Sequence, residues 1–273
     1  MDEADVVGSS SEPITAMRIA HDLRALGVAS GTVVVVHSSL SKLGWVAGDA
    51  PAAVHGLLDA VGPNGTIVFP THSGTGEPMH WEAPPVPEAW WPIIREHTTP
   101  YDRRTTPTRS MGAIVECLRH FPGALRSSHP SVSAGAIGRQ AEYLCNGDHP
   151  LDRGTGDGSP IARVYDLDGH ILLLGVGHEN NTSLHLAEWR ATYPSKATHW
   201  VEQGAAVIID GQRRWVTYRD LEGQTNDFEQ LGADFASDTG LERTGLVGNA
   251  TSRLMPQRAL VDYAVEWMER HRV

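Results

Sequence analysis

The chain has 273 residues, enough for one large domain with a sizeable core. Its 22 Lys and Arg stand against 33 Asp and Glu, a formal charge of −11, which argues against nucleic acid or an anionic membrane as partner and favours a cationic one. No apolar run reaches the roughly 18 residues of a membrane span, the first residues are acidic where a secretory signal is basic and then apolar, and Cys117 and Cys145 are too few for a disulfide framework; a soluble cytoplasmic protein is expected.

In chain order, residues 1–12 read as a disordered acidic tail and 13–273 as a single domain. "SEPITAMRIAHDLRALGV" has apolar residues at helical spacing, closed by Gly27. "GTVVVVHSSL" sets four consecutive valines before a polar break, the pattern of a strand buried on both faces. "APAAVHGLLDAVGPNG" is a helix with a Gly-Pro-Asn-Gly stop and "TIVFPTHSG" a second buried strand, so the three form a parallel crossover unit. Ligands of such sheets lie beyond the carboxyl ends of the strands, which points at His37-Ser38-Ser39 and at Thr71-His72-Ser73.

Residues 76–109, rich in Pro, Trp and His and without periodicity, read as a long irregular insertion packed over the site. A helix in "MGAIVECLRHF", a short strand in "SVSAGAIG" and a helix in "RQAEYLCNG" follow, and Ser159 with Pro160 opens another helix. "HILLLGVG" is a third buried strand, "NTSLHLAEWRATY" a helix, and "AAVIIDGQRRWVTYRD" a hairpin turning at Asp210-Gly211. A strand-like piece and an amphipathic helix end the chain. The whole predicts an α/β fold, a central mixed, largely parallel sheet flanked by helices.

His185 and Glu188 carry the strongest chemistry. Three apart on a helix they share one face, so the carboxylate can hold the Nδ1 proton while Nε2 stays free to accept another. That is an oriented general base, with a plain helix-surface hydrogen bond as the competing account. A metal site would draw on His178, His185, Glu188 and His37, but the spacing is not His-Glu-x-x-His and no metal is expected. "RGTGDGSP" satisfies the Arg-x-x-Gly-x-Gly pyrophosphate pattern of Gcn5-like acetyltransferases, but no strand is expected before it. Its glycines and the following helix start still suit an anion. Ser38, Ser39 and Ser41 after a buried strand offer hydroxyls and amides to a phosphate or a pantetheine arm. A Gly-x-Ser-x-Gly elbow for a nucleophilic serine is absent.

"VVVHSSLSKLGWVAG", "VGPNGTIVFPTHSG", "YDRRTTPTRSMGAI", "RSSHPSVSAGAIG", "HPLDRGTGDGSPIARVYDLDGHILLLGVGHENNTSLHLAE" and "GLVGNATSRLMPQRALVDYAVEWM" together resemble the aminoglycoside 3-N-acetyltransferase family, in order and over nearly all of residues 14–270. The resemblance implies the antibiotic N-acetyltransferase fold, distinct from the Gcn5-like one. It also implies transfer of acetyl from acetyl-coenzyme A to the 3-amino group of a 2-deoxystreptamine aminoglycoside. It places the family's histidine and carboxylate on His185 and Glu188, a further site histidine on His37, and a threonine near the reacting centre on Thr182. For the coenzyme it implies Ser38, Ser39, Leu40, Ser110, Gly112, Gly156, Gly158 and Ser159. Given a polycationic acceptor, the acids Asp220, Glu222, Asp227 and Asp234 are candidates for its subsite. Alternatives are a relative acting on another amine and, further off, a metal-dependent hydrolase. A monomer or homodimer is expected.

Overall fold

The computed structural model describes residues 3–74, 76–82 and 84–272. Helix α1 spans Glu3–Ser9 and α2 Ala16–Leu26; strand β1 (Val33–Ser38), α3 (Asp49–Val61) and β2 (Thr66–Pro70) form the expected crossover unit. After α4 (Trp91–His97) and α5 (Gly112–Leu118) come β3 (Leu125–Arg126), β4 (Ala134–Gly138), α6 (Ala141–Cys145), α7 (Pro160–Asp166) and β5 (His170–Leu174). Helix α8 (Ser183–Arg190) precedes the hairpin β6 (Trp200–Ile209) and β7 (Gln212–Leu221), and α9 (Phe228–Thr239), β8 (Arg243–Val247), β9 (Ala250–Pro256) and α10 (Gln257–His271) close the chain.

The main sheet has seven strands in the order β3-β4-β2-β1-β5-β9-β8. It is mixed, and the expectation of a largely parallel sheet holds only at its centre. β1 runs parallel to β2 and β5, whereas β4, β3, β9 and β8 join antiparallel. β1 and β2 are joined by a helical crossover through α3, whereas β8–β9 is a local hairpin, which needs no crossover.

Strand alternation divides the core in two. Val34, Val36, Ile67, Phe69, Leu172 and Leu174 face a layer that includes α2, α3 and α5. Val35, Val68, Ile171 and Leu173 face α6 to α10. Both faces of the central strands are therefore covered, as their unbroken apolar runs require. The same alternation puts His37 on the α8 side. All three central strands end on one edge, at Ser38, Pro70 and Leu174.

Two expectations need correction. Residues 3–9 of the supposed disordered tail are helical, because Val6 is buried and Ser10 Oγ accepts a bond from the Trp45 backbone N–H at 2.8 Å; residues 1 and 2 lie outside the described residues. The 76–109 insertion contains α4 among its turns and packs against the hairpin. Tyr101 N–H donates to the Ala206 carbonyl at 3.0 Å, Arg213 Nε to the Thr98 carbonyl at 3.0 Å, and Arg95 pairs with buried Glu77.

Candidate active site

The carboxyl edge of β1, β2 and β5 opens into a cavity of about 480 Å³. It is lined by His37, Ser38, Ser39, Leu40, Ser110, Gly112, Thr182 and His185, every one of them expected from the sequence. The Ser39 N–H is spent on the Leu174 carbonyl at 3.0 Å, which fixes the turn after β1, while the Ser39 and Ser41 hydroxyls lie 3.4 Å apart. Ser110 is held at φ 58° and Gly112 at φ 83°, so the chain enters α5 through a left-handed turn. For Ser110 that conformation costs on the order of 1 kcal/mol, of the kind structures retain at ligand sites. Hydroxyls beside Leu40, Met111, Val115 and Val176 match a pantetheine arm, which alternates amides with methylenes.

His185 sits on the first turn of α8, gripped on three sides. Its Nδ1 lies 2.5 Å from Glu188 Oε2, which assigns the proton to Nδ1 and leaves Nε2 as the lone-pair nitrogen. Phe228 packs against the ring at 5.1 Å between centroids. The backbone of Gly223 passes so close that a Cβ there would collide with Nδ1 and Cε1. The imidazole is 21% exposed and the Glu188 carboxylate only 1%.

A carboxylate that deeply buried needs compensation. The other oxygen, Oε1, accepts from Arg272 Nη1 at 2.6 Å and from the Gln224 N–H at 2.9 Å. Arg272 in turn pairs with Asp227 through Nε at 2.7 Å and Nη2 at 2.6 Å, and Nη1 lies 3.3 Å from the Tyr193 hydroxyl. Burial pulls the guanidinium's pKa down, but Asp227 and Glu188 together hold it above its ordinary value. Sequence spacing shows the first link, His185 to Glu188. It gives no sign of the second, because Arg272 lies 84 residues away on the cap of α10. Gly223 is missed for the same reason.

Two more imidazoles, His37 and His72, line the cavity, and a third, His178, lies behind it. His37 is buried, its Nε2 has no partner among the described residues, and burial with the nearby His72, His185 and His178 rings lowers it to about 3. His72 is lowered to about 4, by burial and then by His185, His129 and Arg126. Both are neutral across the physiological range. His178 turns away: its Nε2 is 2.9 Å from Glu242 Oε2 and its Nδ1 3.4 Å from Asn181 Nδ2. Among the described residues no group of three or more His, Cys, Asp or Glu side chains could hold a metal ion. The Thr182 hydroxyl makes no capping bond to α8 and lies in the cavity wall.

Gly156, Gly158 and Ser159 are not in this cavity. Ser159 is fully buried, its Oγ capping α7 by accepting from Ala162 N–H at 3.2 Å; Gly156 packs flat on Trp189, and Gly158 adopts φ 91° against Pro150. A three-residue helical turn, not a strand, precedes the turn they form.

The four candidate acids also separate. Asp220 lines two adjoining cavities, one with His185, Glu188, Thr155 and Gly223, the other with Glu77, Trp81, Gln203 and Tyr218. Its carboxyl is pushed up to about 7, by burial first, against weaker opposition from the Leu221 and Gly154 N–H groups. Glu222 is exposed and lines neither, Asp227 is spent on Arg272, and Asp234 accepts from Trp267 Nε1 at 2.8 Å and Gln230 Nε2 at 2.7 Å. The last two tie α9 to the α10 end of the chain, and neither lines the cavities beside His185.

Comparison with known proteins matches residues 35–269 to the model of the family described as aminoglycoside 3-N-acetyltransferase. The SPbeta prophage-derived aminoglycoside N(3')-acetyltransferase-like protein YokD of Bacillus subtilis (strain 168) is 40% identical over 264 residues, 96% of this chain and 95% of that one; its crystal structure superposes with a TM-score of 0.94. Aminoglycoside N(3)-acetyltransferase VII of Streptomyces paromomycinus is 35% identical, covering 98% of this chain and 96% of its own. Two further solved structures, AAC-IIIb in a binary complex with CoASH and AAC-VIa bound to sisomicin, are each 31% identical with a TM-score of 0.84; they cover 95% and 96% of this chain, and 97% and 100% of theirs. A cavity edge at three parallel strands, a histidine gripped by a buried carboxylate and full-length similarity at this level agree on one assignment: the chain belongs to the aminoglycoside 3-N-acetyltransferase family.

Proposed function

We propose that this protein transfers acetyl from acetyl-coenzyme A to the 3-amino group of a 2-deoxystreptamine aminoglycoside, directly and with His185 as general base. The observation that carries the reading is the His185–Glu188–Arg272 chain beside the serine-lined cavity. Relatives with CoASH and with sisomicin bound support the two ligand classes.

An ammonium has no lone pair with which to attack, so the acceptor nitrogen must lose a proton at or before bond formation. Nε2 of His185 accepts it, and Glu188 stabilises the resulting imidazolium through Nδ1–H. The amine nitrogen bonds to the acetyl carbon, the carbon–sulfur bond breaks, and the proton passes from Nε2 to the departing sulfur; the second proton that an ammonium must shed to become an amide leaves to solvent. Ser38, Ser39, Ser110 and Gly112 are the proposed coenzyme contacts, with Leu40 beside its methylenes. Thr182, on the wall next to His185, is the proposed donor to the carbonyl oxygen as it gains charge. Asp220 is the acid proposed for an acceptor ammonium. His37, neutral and enclosed, is proposed to complete the wall behind the acetyl group.

The test is a steady-state panel of aminoglycosides with acetyl-coenzyme A, read by thiol release, that includes drugs without a free 3-amino group. Turnover is expected only with acceptors carrying that amine. Equal turnover without it, or thiol release independent of any aminoglycoside, would refute the reading.

A further inference from the structure

One residue lies where all the cavities of the site meet. His72 lines the serine cavity, the cavity holding Asp220 and Tyr218, and the gap between them that holds His185 and Glu188. His185 lines two of these and Asp220 two; no other described residue borders all three. The ring of His72 makes no hydrogen bond or ion pair with any described residue, and neither ring nitrogen is sealed off in the protein. Its position is fixed through the backbone, where the His72 carbonyl accepts from the Arg109 N–H at 2.8 Å.

We infer that His72 is a specificity-determining contact for the acceptor, using one ring nitrogen as donor and the other as acceptor to a hydroxyl or amino group neighbouring the reacting amine. This rests on the acetyltransferase reading above. A coenzyme arm in the serine cavity leaves the Asp220 side as the acceptor's approach to Nε2 of His185, and that approach runs past His72. A polycation tolerates an uncharged imidazole where it would be repelled by an imidazolium, and burial together with His185, His129 and Arg126 keeps this ring uncharged above about pH 4. A neutral imidazole carries one N–H and one lone pair, the complement of the alternating amines and hydroxyls of an aminocyclitol. Selectivity follows because an acceptor without the matching group leaves a half-buried polar ring unpaired.

The experiment compares wild type, His72→Phe and His72→Gln with the best wild-type aminoglycoside acceptor, measuring kcat and both KM values. His72→Phe should raise the acceptor KM about tenfold or more, with a much smaller fall in kcat and no change in acetyl-coenzyme A KM. His72→Gln keeps a donor and an acceptor and should recover most of the loss, a rescue that a packing role alone would not give. An unchanged acceptor KM in both variants, or a loss confined to kcat or to the coenzyme, would overturn the assignment. Should wild type acetylate no aminoglycoside, the functional reading fails separately, and calorimetric titration with sisomicin then decides: weaker binding in either variant supports His72 as the contact, and equal or absent binding in all three proteins refutes it.

Discussion

Two carboxyl groups share a cavity with His185 from two walls, Glu188 buried and Asp220 half-buried, and their circumstances differ. Glu188, on α8, has both oxygens taken by Nδ1–H of His185, the Arg272 guanidinium and the Gln224 N–H. Asp220, at the end of β7, has backbone N–H partners but no ion-pair partner among the described residues, and burial drives its carboxyl up to about 7. One wall is a completed ion network that holds the ring of the proposed base, His185, in place. The other keeps a carboxyl that lacks a positive partner, which an acceptor ammonium would supply. Burial penalises a charge until a counter-charge arrives, and in one wall that partner is built in.

Breaking the completed wall should have the largest effect. Arg272→Met leaves Glu188 buried without its cation, and we expect about 3–5 kcal/mol of lost stability, read by denaturant unfolding, together with a fall in kcat. A change under about 1 kcal/mol would show that Arg272 is not what makes the burial of Glu188 tolerable.

The open wall should respond to pH instead. An unfolded aspartate titrates near about 3.9, whereas folded Asp220 titrates at about 7, so the folded state holds the proton more tightly. Its contribution to stability is present in full below the unfolded value and is lost as pH rises from about 4 to 7. Asp220→Asn should therefore raise Tm at pH 8 and leave it nearly unchanged at pH 4. The same variant should weaken acceptor binding most above pH 7, where wild-type Asp220 is ionised. A pH-independent change in Tm would contradict this.

The smallest effect separates structure from ligand binding on the turn before α7. Ser159→Ala removes an N-cap and should cost about 1 kcal/mol in unfolding free energy with no change in acetyl-coenzyme A KM. A raised coenzyme KM would return Ser159 to the binding site.

The two walls also differ in how far they could be read from sequence. β1, β2 and β5 declare themselves because strands covered on both faces are apolar at every position, and the polar residues after them mark the ligand edge. His185 and Glu188 declare themselves because helix geometry is local. Arg272 and Gly223 do not, since each acts through a neighbour far away in sequence; His72 is marked only as lying at the ligand edge, and its place between three cavities is set by several segments together. The acids misled in the opposite sense. Asp227 and Asp234 look like Asp220 in composition, and only their partners, Arg272 and Trp267, show them to be structural. The N-terminal helix was hidden for a related reason: one buried valine and a serine bonded to the Trp45 backbone order a segment whose composition is that of a solvated tail.

The most direct measurement is the acetyl-transfer rate of His185→Ala beside calorimetric titration of the same variant with coenzyme A. If Nε2 takes the amine's proton, turnover falls about 10²–10⁴-fold while coenzyme binding is retained. Turnover within a few-fold of wild type would show that the proton leaves by another route, and the role assigned to the His185–Glu188–Arg272 chain would be wrong.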